Sequence, residues 1–439
     1  MTDSPAVQAV LDPREQPILE KLLGIRDRLL LLKEDKSTYI KSQDVLRLYE
    51  EVVEQVEPLD KIRGGKLDEE SRLDRTLDDC FQLISLFFMT IGRNNEAPAV
   101  YATMSSMKRL LDHLKEVTLY CAKDLQSIAH RLEITREVIK RGRERYSPVL
   151  LKILEDRLAL CDGTKHELQD RLALMAPELE PIQEKLISIL RSISAANTKK
   201  KFSSKEVQSL QEQLQEIDSR REDGNFIGSN GQILAGQDLV NQLLHRCLVW
   251  ADLVLTRAGN IDEGFKPAYD QILEIRNQLE KLSLTHPWSL RETDLFTYQR
   301  NLDRIDEKRV DGNFVNSEGR SADLFEQRTL LYLLRRSYAL IYTLIISSEP
   351  VSEALLPIYN QLQTLRRCLL EVQRSGGVSS PRELYPYSMK LHSIESARKD
   401  GKFMVGQDIP EGQGSVNALM AECFELNYEL RINAESDND

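Results

Sequence analysis

Little in this chain is reactive, and each shortage closes off a class of function. Its 439 residues include only six histidines and six cysteines. His113, His130, His166, His245, His286 and His392 are scattered, and none stands three residues after a glutamate, the helical spacing used by carboxylate-bundle metal sites. His245 and Cys247 lie two apart, which points them to different faces of a helix. Cys80, Cys121, Cys161, Cys247, Cys368 and Cys423 form no Cys-x-x-Cys pair. Their mostly apolar surroundings fit buried thiols in a reducing compartment better than a disulfide framework. No metal and no other cofactor is expected.

Positive charge is also short. A net charge of -11 argues against a dedicated nucleic-acid binder, because phosphate neutralisation needs a basic face. Long apolar runs are missing: Tyr338 to Ile346 falls well below the ~20 residues of a membrane span. Met1-Thr2-Asp3-Ser4-Pro5 has no charged-then-apolar signal design. A soluble protein, neither secreted nor inserted in a membrane, is the expectation. No G-x-S-x-G turn occurs, and Gly64-Gly65-Lys66 lacks the glycine spacing and the following Ser or Thr of a phosphate loop. Carboxylate pairs carry no information where 70 acidic residues decorate helices. No residue set compels a reaction. An enzyme whose site is assembled across distant segments stays open as an alternative, and the balance leans against it.

Glycine (20) and proline (15) are few and cluster between long amphipathic stretches, which favours helix. What is present is recurrence. Pro17, Pro181, Pro267 and Pro357 each lead into an apolar stripe: Leu22, Ile25, Leu29; Leu186, Ile189, Ile193; Ile272, Ile275, Leu279; and Leu362, Leu365, Leu369. Spacings of three and four put each set on one helical face. Each proline either starts its helix or kinks one begun earlier. A second helix follows with rows Leu46, Tyr49, Val53, Val56; Val207, Leu210, Leu214, Ile217; Leu295, Tyr298, Leu302, Ile305; and Leu384, Tyr387, Leu391, Ile394. Ser42, Ser203, Ser289 and Ser380 stand as N-caps, and Glu206, Glu292 and Glu383 complete capping boxes with the last three.

Each of the last three such helices is expected to stop at a glycine within Asp223-Gly224-Asn225-Phe226, Asp311-Gly312-Asn313-Phe314 and Asp400-Gly401-Lys402-Phe403. Gly takes the left-handed turn, and the Phe anchors a small β-like hairpin arm before a third, Leu-rich helix. Cys80, Cys247, Ser337 and Cys423 share a register in that third helix. The reading is an all-α array of three-helix repeat units at 16–97, 176–260, 261–348 and 349–431. A fifth, degenerate unit at 98–175 would take Met104, Met107 and Leu111 as its stripe and Cys161 as its register mark. Residues 1–15 form a loose arm and 432–439 an acidic tail.

Asp-Gly-x-Phe, a loop, Gly-Gln and a Leu-rich helix recur at Asp223–Phe226 with Gly236-Gln237 and at Asp400–Phe403 with Gly412-Gln413. In this the chain resembles the fungal family of uncharacterised proteins with a duplicated domain of unknown function, that of the yeast copper-suppressing, bleomycin-sensitive Cub protein. The resemblance covers about residues 15–430. It departs at Arg320-Ser321, where no Gly-Gln follows, and at Gly64-Gly65-Lys66-Leu67, where Asp and Phe are missing. It implies a cytoplasmic and nuclear protein and no established catalytic residues.

For the Asp-Gly-x-Phe corners the functional reading is an anion cradle, with Arg221, Arg309 and Arg398 holding a phosphorylated or acidic segment. The structural reading, a turn glycine and a buried Phe, needs no ligand. Lys199-Lys200-Lys201-Phe202-Ser203-Ser204 and Lys140-Arg141-Gly142-Arg143-Glu144-Arg145 are either exposed linkers or targeting, modification or RNA-contact sites. The function expected is a non-enzymatic protein-binding adaptor or regulator with unknown protein partners.

Overall fold

The computed structural model describes residues 12–63, 71–228 and 231–436, leaving out the side chains of 286–289 and 435–436. The Gly64–Leu67 stretch and residues 1–11 and 437–439 of the arm and tail lie outside the described residues. Within them the fold is all-helical: α1 Gln16–Glu34, α2 Ser42–Arg63, α3 Arg72–Thr90, α4 Val100–Val117, α5 Ala122–Arg141, α6 Pro148–Leu172, α7 Glu180–Asn197, α8 Ser204–Asp218, α9 Gln237–Arg257, α10 Lys266–Ser289, α11 Leu295–Asp306, α12 Leu324–Ile346, α13 Leu356–Arg374, α14 Tyr385–Glu395 and α15 Gln413–Ser436. Prolines occupy the first turn of α1, α6, α7 and α13, so they start helices, where the missing N–H costs nothing.

The most extensive packing joins α1 to α3, α4 to α6, α7 to α9, α10 to α12 and α13 to α15. At four of these seams a thiol meets a carbonyl. Cys80 Sγ donates to Leu22 O at 3.7 Å, Cys161 to Met104 O at 3.7 Å, Cys247 to Leu186 O at 3.6 Å and Cys423 to Leu362 O at 3.5 Å. In α12 the corresponding Ser337 turns its hydroxyl to Leu333 O of its own helix at 2.8 Å. Burial pushes the Cys247 thiol up to about 12 and those of Cys161 and Cys423 to about 11, which makes them packing groups rather than nucleophiles.

Three apolar cores result among the described residues. One is shared by α1–α6 and α10–α12, a second fills α7–α9 and a third fills α13–α15. By length and composition α12 could cross a membrane, yet both its ends and its middle are buried, from Phe325 and Leu330 to Leu344 and Ile345. It is the central helix of the first core.

The third core meets the rest where α13 packs on α10 and through several polar contacts. Arg291 Nε lies 2.7 Å from Glu353, Arg93 Nη2 lies 2.6 Å from Glu411, and Tyr39 Oη donates to Asp408 at 2.9 Å. Gly92, at φ +83°, allows the end of α3 to abut this junction: an added Cβ would fall 2.6 Å from Ser352 N. Glu292 is buried there, accepting from Ser348 Oγ at 2.7 Å and Thr90 Oγ1 at 3.2 Å, and makes no ion pair among the described residues. Burial raises its carboxyl above the ordinary value. A carboxyl that holds its proton more tightly when folded favours the native state on the acid side and costs stability once ionised. Glu292→Gln is therefore expected to raise stability at pH 7. It should also flatten the gain that the wild type shows as pH falls through the raised value. Thermal melts from pH 8 to 5 read both effects; a loss at pH 7 would mean that the charge itself holds the junction.

The expected ends of several helices need correction. The second helices stop at Asp218, Asp306 and Glu395, before the Asp-Gly pairs rather than at them. Among the described residues, the capping boxes expected at Ser203 and Ser380 do not form. Ser203 makes no side-chain cap bond, while Glu206 instead accepts from Lys199 at 2.7 and 2.8 Å. Ser380 caps Arg382 N at 3.3 Å, while Glu383 takes the Ser379 hydroxyl. Ser42 lies inside the first turn of α2, and the side chain of Ser289 lies outside the described residues. A reciprocal box stands instead at Ser71 and Asp74, opening α3.

Candidate functional site

The Asp-Gly corners are tight two-residue turns. Asp223, Asp311 and Asp400 have φ of 48°, 50° and 50°, and the following glycines 79°, 78° and 77°. Two successive positive φ values make a hairpin turn whose twist suits paired chains. Accordingly Glu222 and Asn225 exchange both backbone bonds at 2.9 Å, as do Val310 and Asn313. Among the described residues these corners contain isolated antiparallel bridges and no strand.

Phe226, Phe314 and Phe403 are all buried. Each donates its backbone N–H to a glutamine that opens the next helix: Phe226 to Gln237 Oε1 at 2.8 Å, Phe314 to Gln327 at 2.9 Å and Phe403 to Gln413 at 2.9 Å. Gln327 does this without a preceding glycine, so the apparent departure at Arg320-Ser321 hid an equivalent residue displaced along the chain.

Arg221, Arg309 and Arg398 are turned back on their own corners and are not brought together in one site. Arg398 donates to Gly401 O at 3.1 and 2.9 Å, Arg309 to Gly312 O at 2.9 Å and Arg221 to Gly224 O at 3.4 Å. Asp218 pairs with Arg221, and Asp306 and Glu116 with Arg309 at 2.7 and 2.8 Å. These guanidiniums satisfy carbonyls of the turn, a local role that the motif spacing did not reveal. The basic runs are likewise engaged in part: Arg143 meets Glu155 at 3.0 Å and Arg145 meets Glu96 at 2.9 Å.

The large concavity lies elsewhere, between α4, α5, α7, α9, α12 and the Asp311 corner. It is a cleft of about 850 Å³. Leu110, Leu114, Ile128, Ile187, Leu190 and Leu331 line it with apolar surface. Its charged lining comprises six cations (Lys123, Arg191, Arg246, Arg328, Arg335 and Arg336) against Glu116, Asp124 and Asp311. That surplus of positive charge runs against a whole-chain charge of -11.

Four of the six have carboxylate neighbours: Lys123 pairs with Glu184 at 2.6 Å, Arg191 with Asp124 at 2.8 Å, Arg335 with Glu116 at 3.0 Å and Arg336 with Glu280 at 4.0 Å. Arg246 and Arg328 have none among the described residues. Arg246 reaches the Val117 carbonyl and the Thr118 hydroxyl at 3.5 Å; Arg328 reaches the Arg246 carbonyl at 3.3 Å and lies over the Trp250 ring at 5.6 Å. Burial, then the adjacent Arg246, lowers the pKa of Arg328. On α4, His113 is buried against Tyr338, and neither ring nitrogen has a hydrogen-bond partner among the described residues. Burial and then Arg335 and Arg109 push it down to about 3, so it is a neutral imidazole. Local spacing carried no signal for Arg246 and Arg328, which meet only when α9 packs on α12.

A second exposed feature is the outer face of the C-terminal bundle. Tyr385 (64%) and Met389 (53%) stand one turn apart on α14, with Tyr428 (63%) and Ile432 (44%) one turn apart on α15. Asn427 Nδ2 donates to Ser388 Oγ at 3.0 Å and holds the two helices side by side there.

The family described as "Protein of unknown function (DUF2408)" matches residues 172–292 and 348–439. A CUB1 family protein of Schizosaccharomyces pombe is 43% identical over 426 residues, covering 95% of this chain and 93% of its own. The Saccharomyces cerevisiae protein described as Cu(2+) suppressing and bleomycin sensitive protein 1 is 38% identical over 506 residues, 97% and 91% of the two chains. No solved structure matches.

Proposed function

The chain belongs to the CUB1 family of fungal proteins, and from that premise we propose that it is a non-enzymatic helical-repeat scaffold that binds other proteins in the cytoplasm and nucleus. The scaffold is read as one three-helix module in five copies, the altered copy at 98–175 included. In support, the first and third helices of each triplet pack together, and four triplets share the thiol-to-carbonyl contact at the start of the first stripe. The shared Phe-to-Gln bond supports three of the hairpin arms. Neighbouring modules of such an array bury one another's faces, and a terminal one keeps a face free.

The observation that carries protein binding is the face of α14 and α15. In register with Ile394 and Ile305, Tyr385 corresponds to Phe296; in register with Cys423 and Ser337, Tyr428 corresponds to Tyr342. Phe296 and Tyr342 are buried at 6% and 7% exposure, whereas both C-terminal tyrosines stand more than half exposed. Exposed rigid aromatic side chains are what interface hot spots are made of. Tyr385→Glu combined with Tyr428→Glu should leave the melting temperature near that of the wild type and lower partner recovery about tenfold or more in quantitative pull-downs from native cells. An unchanged set of captured proteins would end the reading. The alternative, an acidic or phosphorylated segment held by Arg221, Arg309 and Arg398, is the weaker one because those guanidiniums already serve their own turns.

A further inference from the structure

The cleft bounded by α4, α5, α7, α9 and α12 has features that a scaffold does not need. Arg328 donates its guanidinium to the Arg246 backbone carbonyl at 3.3 Å, the Arg246 guanidinium reaches the Val117 carbonyl at 3.5 Å, and neither cation has a carboxylate partner among the described residues. Elsewhere in the molecule close arginines are interleaved with acids, as Arg157 and Arg300 are by Asp78 at 2.9 and 3.0 Å. Like charges held together without a counter-charge repel, and helix packing alone gives no reason to keep both. Around them the lining carries six cations and three carboxylates over an apolar floor, in a chain whose total is -11. The charge complement of such a lining is a small anion, and that of its floor is an apolar group.

We propose that this cleft binds a phosphomonoester carried on an apolar body, the dianion held between Arg246 and Arg328 and the body lying on Leu114, Ile128, Ile187, Leu190 and Leu331. Planar guanidiniums grip phosphate oxygens in pairs, and two of them match the dianion's charge. A volume of about 850 Å³ admits a ligand well beyond the size of free phosphate. His113, neutral and without a hydrogen-bond partner among the described residues, is the polar group left over in the wall for an uncharged donor or acceptor of the same ligand. The phosphomonoester can come from a metabolite or from a phosphorylated side chain of a peptide with apolar neighbours. This site is separate from the α14 and α15 face and does not depend on it.

The test uses the full chain, with titration calorimetry and the fluorescence of Trp250, which lies beneath Arg328, in a Trp288→Phe background. The probes are inorganic phosphate, phenyl phosphate, a phosphoserine peptide flanked by leucines, and benzyl alcohol as the uncharged control. Saturable binding of phenyl phosphate, tighter than that of inorganic phosphate or benzyl alcohol and weakened by added salt, is expected. Arg328→Gln and Arg246→Gln should each weaken it about tenfold or more while melting stays close to the wild type, since no carboxylate loses a partner. Binding of phenyl phosphate assigns the source to a metabolite, and binding of the peptide alone assigns it to a modified protein; either upholds the anion site. No saturable binding of any phosphorylated probe by the wild type overturns it, as does undiminished affinity in both variants. If one variant misfolds, the other and the wild-type titrations decide.

Discussion

Arg63→Met is expected to lower the free energy of unfolding by about 3–5 kcal/mol, the usual cost of leaving a buried charge without its partner. Arg63 closes α2, and its guanidinium ties together the starts of two other helices. It donates to both oxygens of Glu15, at 2.7 and 3.0 Å, just ahead of α1. It also pairs with Asp74, the acid of the capping box of α3. The side chains of Arg63 and Glu15 are only 6% and 4% exposed, so water cannot replace the lost bonds cheaply. Urea unfolding at pH 7 measures the loss. Combining the change with Glu15→Gln should recover part of it, because the stranded carboxylate is then gone. A loss below about 1 kcal/mol, the level of a surface pair, would show that the cluster is solvated in solution.

The second large effect concerns the C-terminal bundle. Phe403 is 1% exposed in a core that no other bundle shares. Phe403→Ala removes that packing and leaves a cavity, at a cost of about 3–5 kcal/mol. Because the apolar core of α13–α15 is separate from the cores of the body, the loss should stay local. Calorimetry of the wild type is expected to resolve two transitions. The variant should move only the lower one, by on the order of 10 °C or more for a unit of this size. A single transition that moves as a whole would show that the bundle and the body unfold as one.

Local chemistry made most of the helices legible. The proline-led stripes are core positions, as Leu22, Ile25, Leu29 and Leu362, Leu365, Leu369 show, all buried in their bundles. The Asp-Gly corners were also readable, since few other pairs tolerate two positive φ values in succession. Long-range partners were not readable. The spacing of Glu292 announced only a capping role, whereas the fold buries it against Ser348 and Thr90, contacts that no local pattern could show. The corner arginines resembled anion ligands until the turn brought its own carbonyls within reach. The cleft was invisible for the same reason: Arg246 and Arg328 belong to different helices, and nothing near either one announces the other.

The order in which the chain is made does not follow the order in which its cores are filled. The core that α1–α6 begin is completed by α10–α12, with α12 laid along α4, while α7–α9 fill a core of their own in between. At about 5–20 residues per second, a ribosome needs roughly 10 s or more to travel from the end of α6 to the end of α12. Through that interval the apolar faces of α3 and α4 wait for a partner not yet synthesised. Newborn chains should therefore engage chaperones at this stage, and a fragment ending near residue 260 should aggregate where the full chain does not.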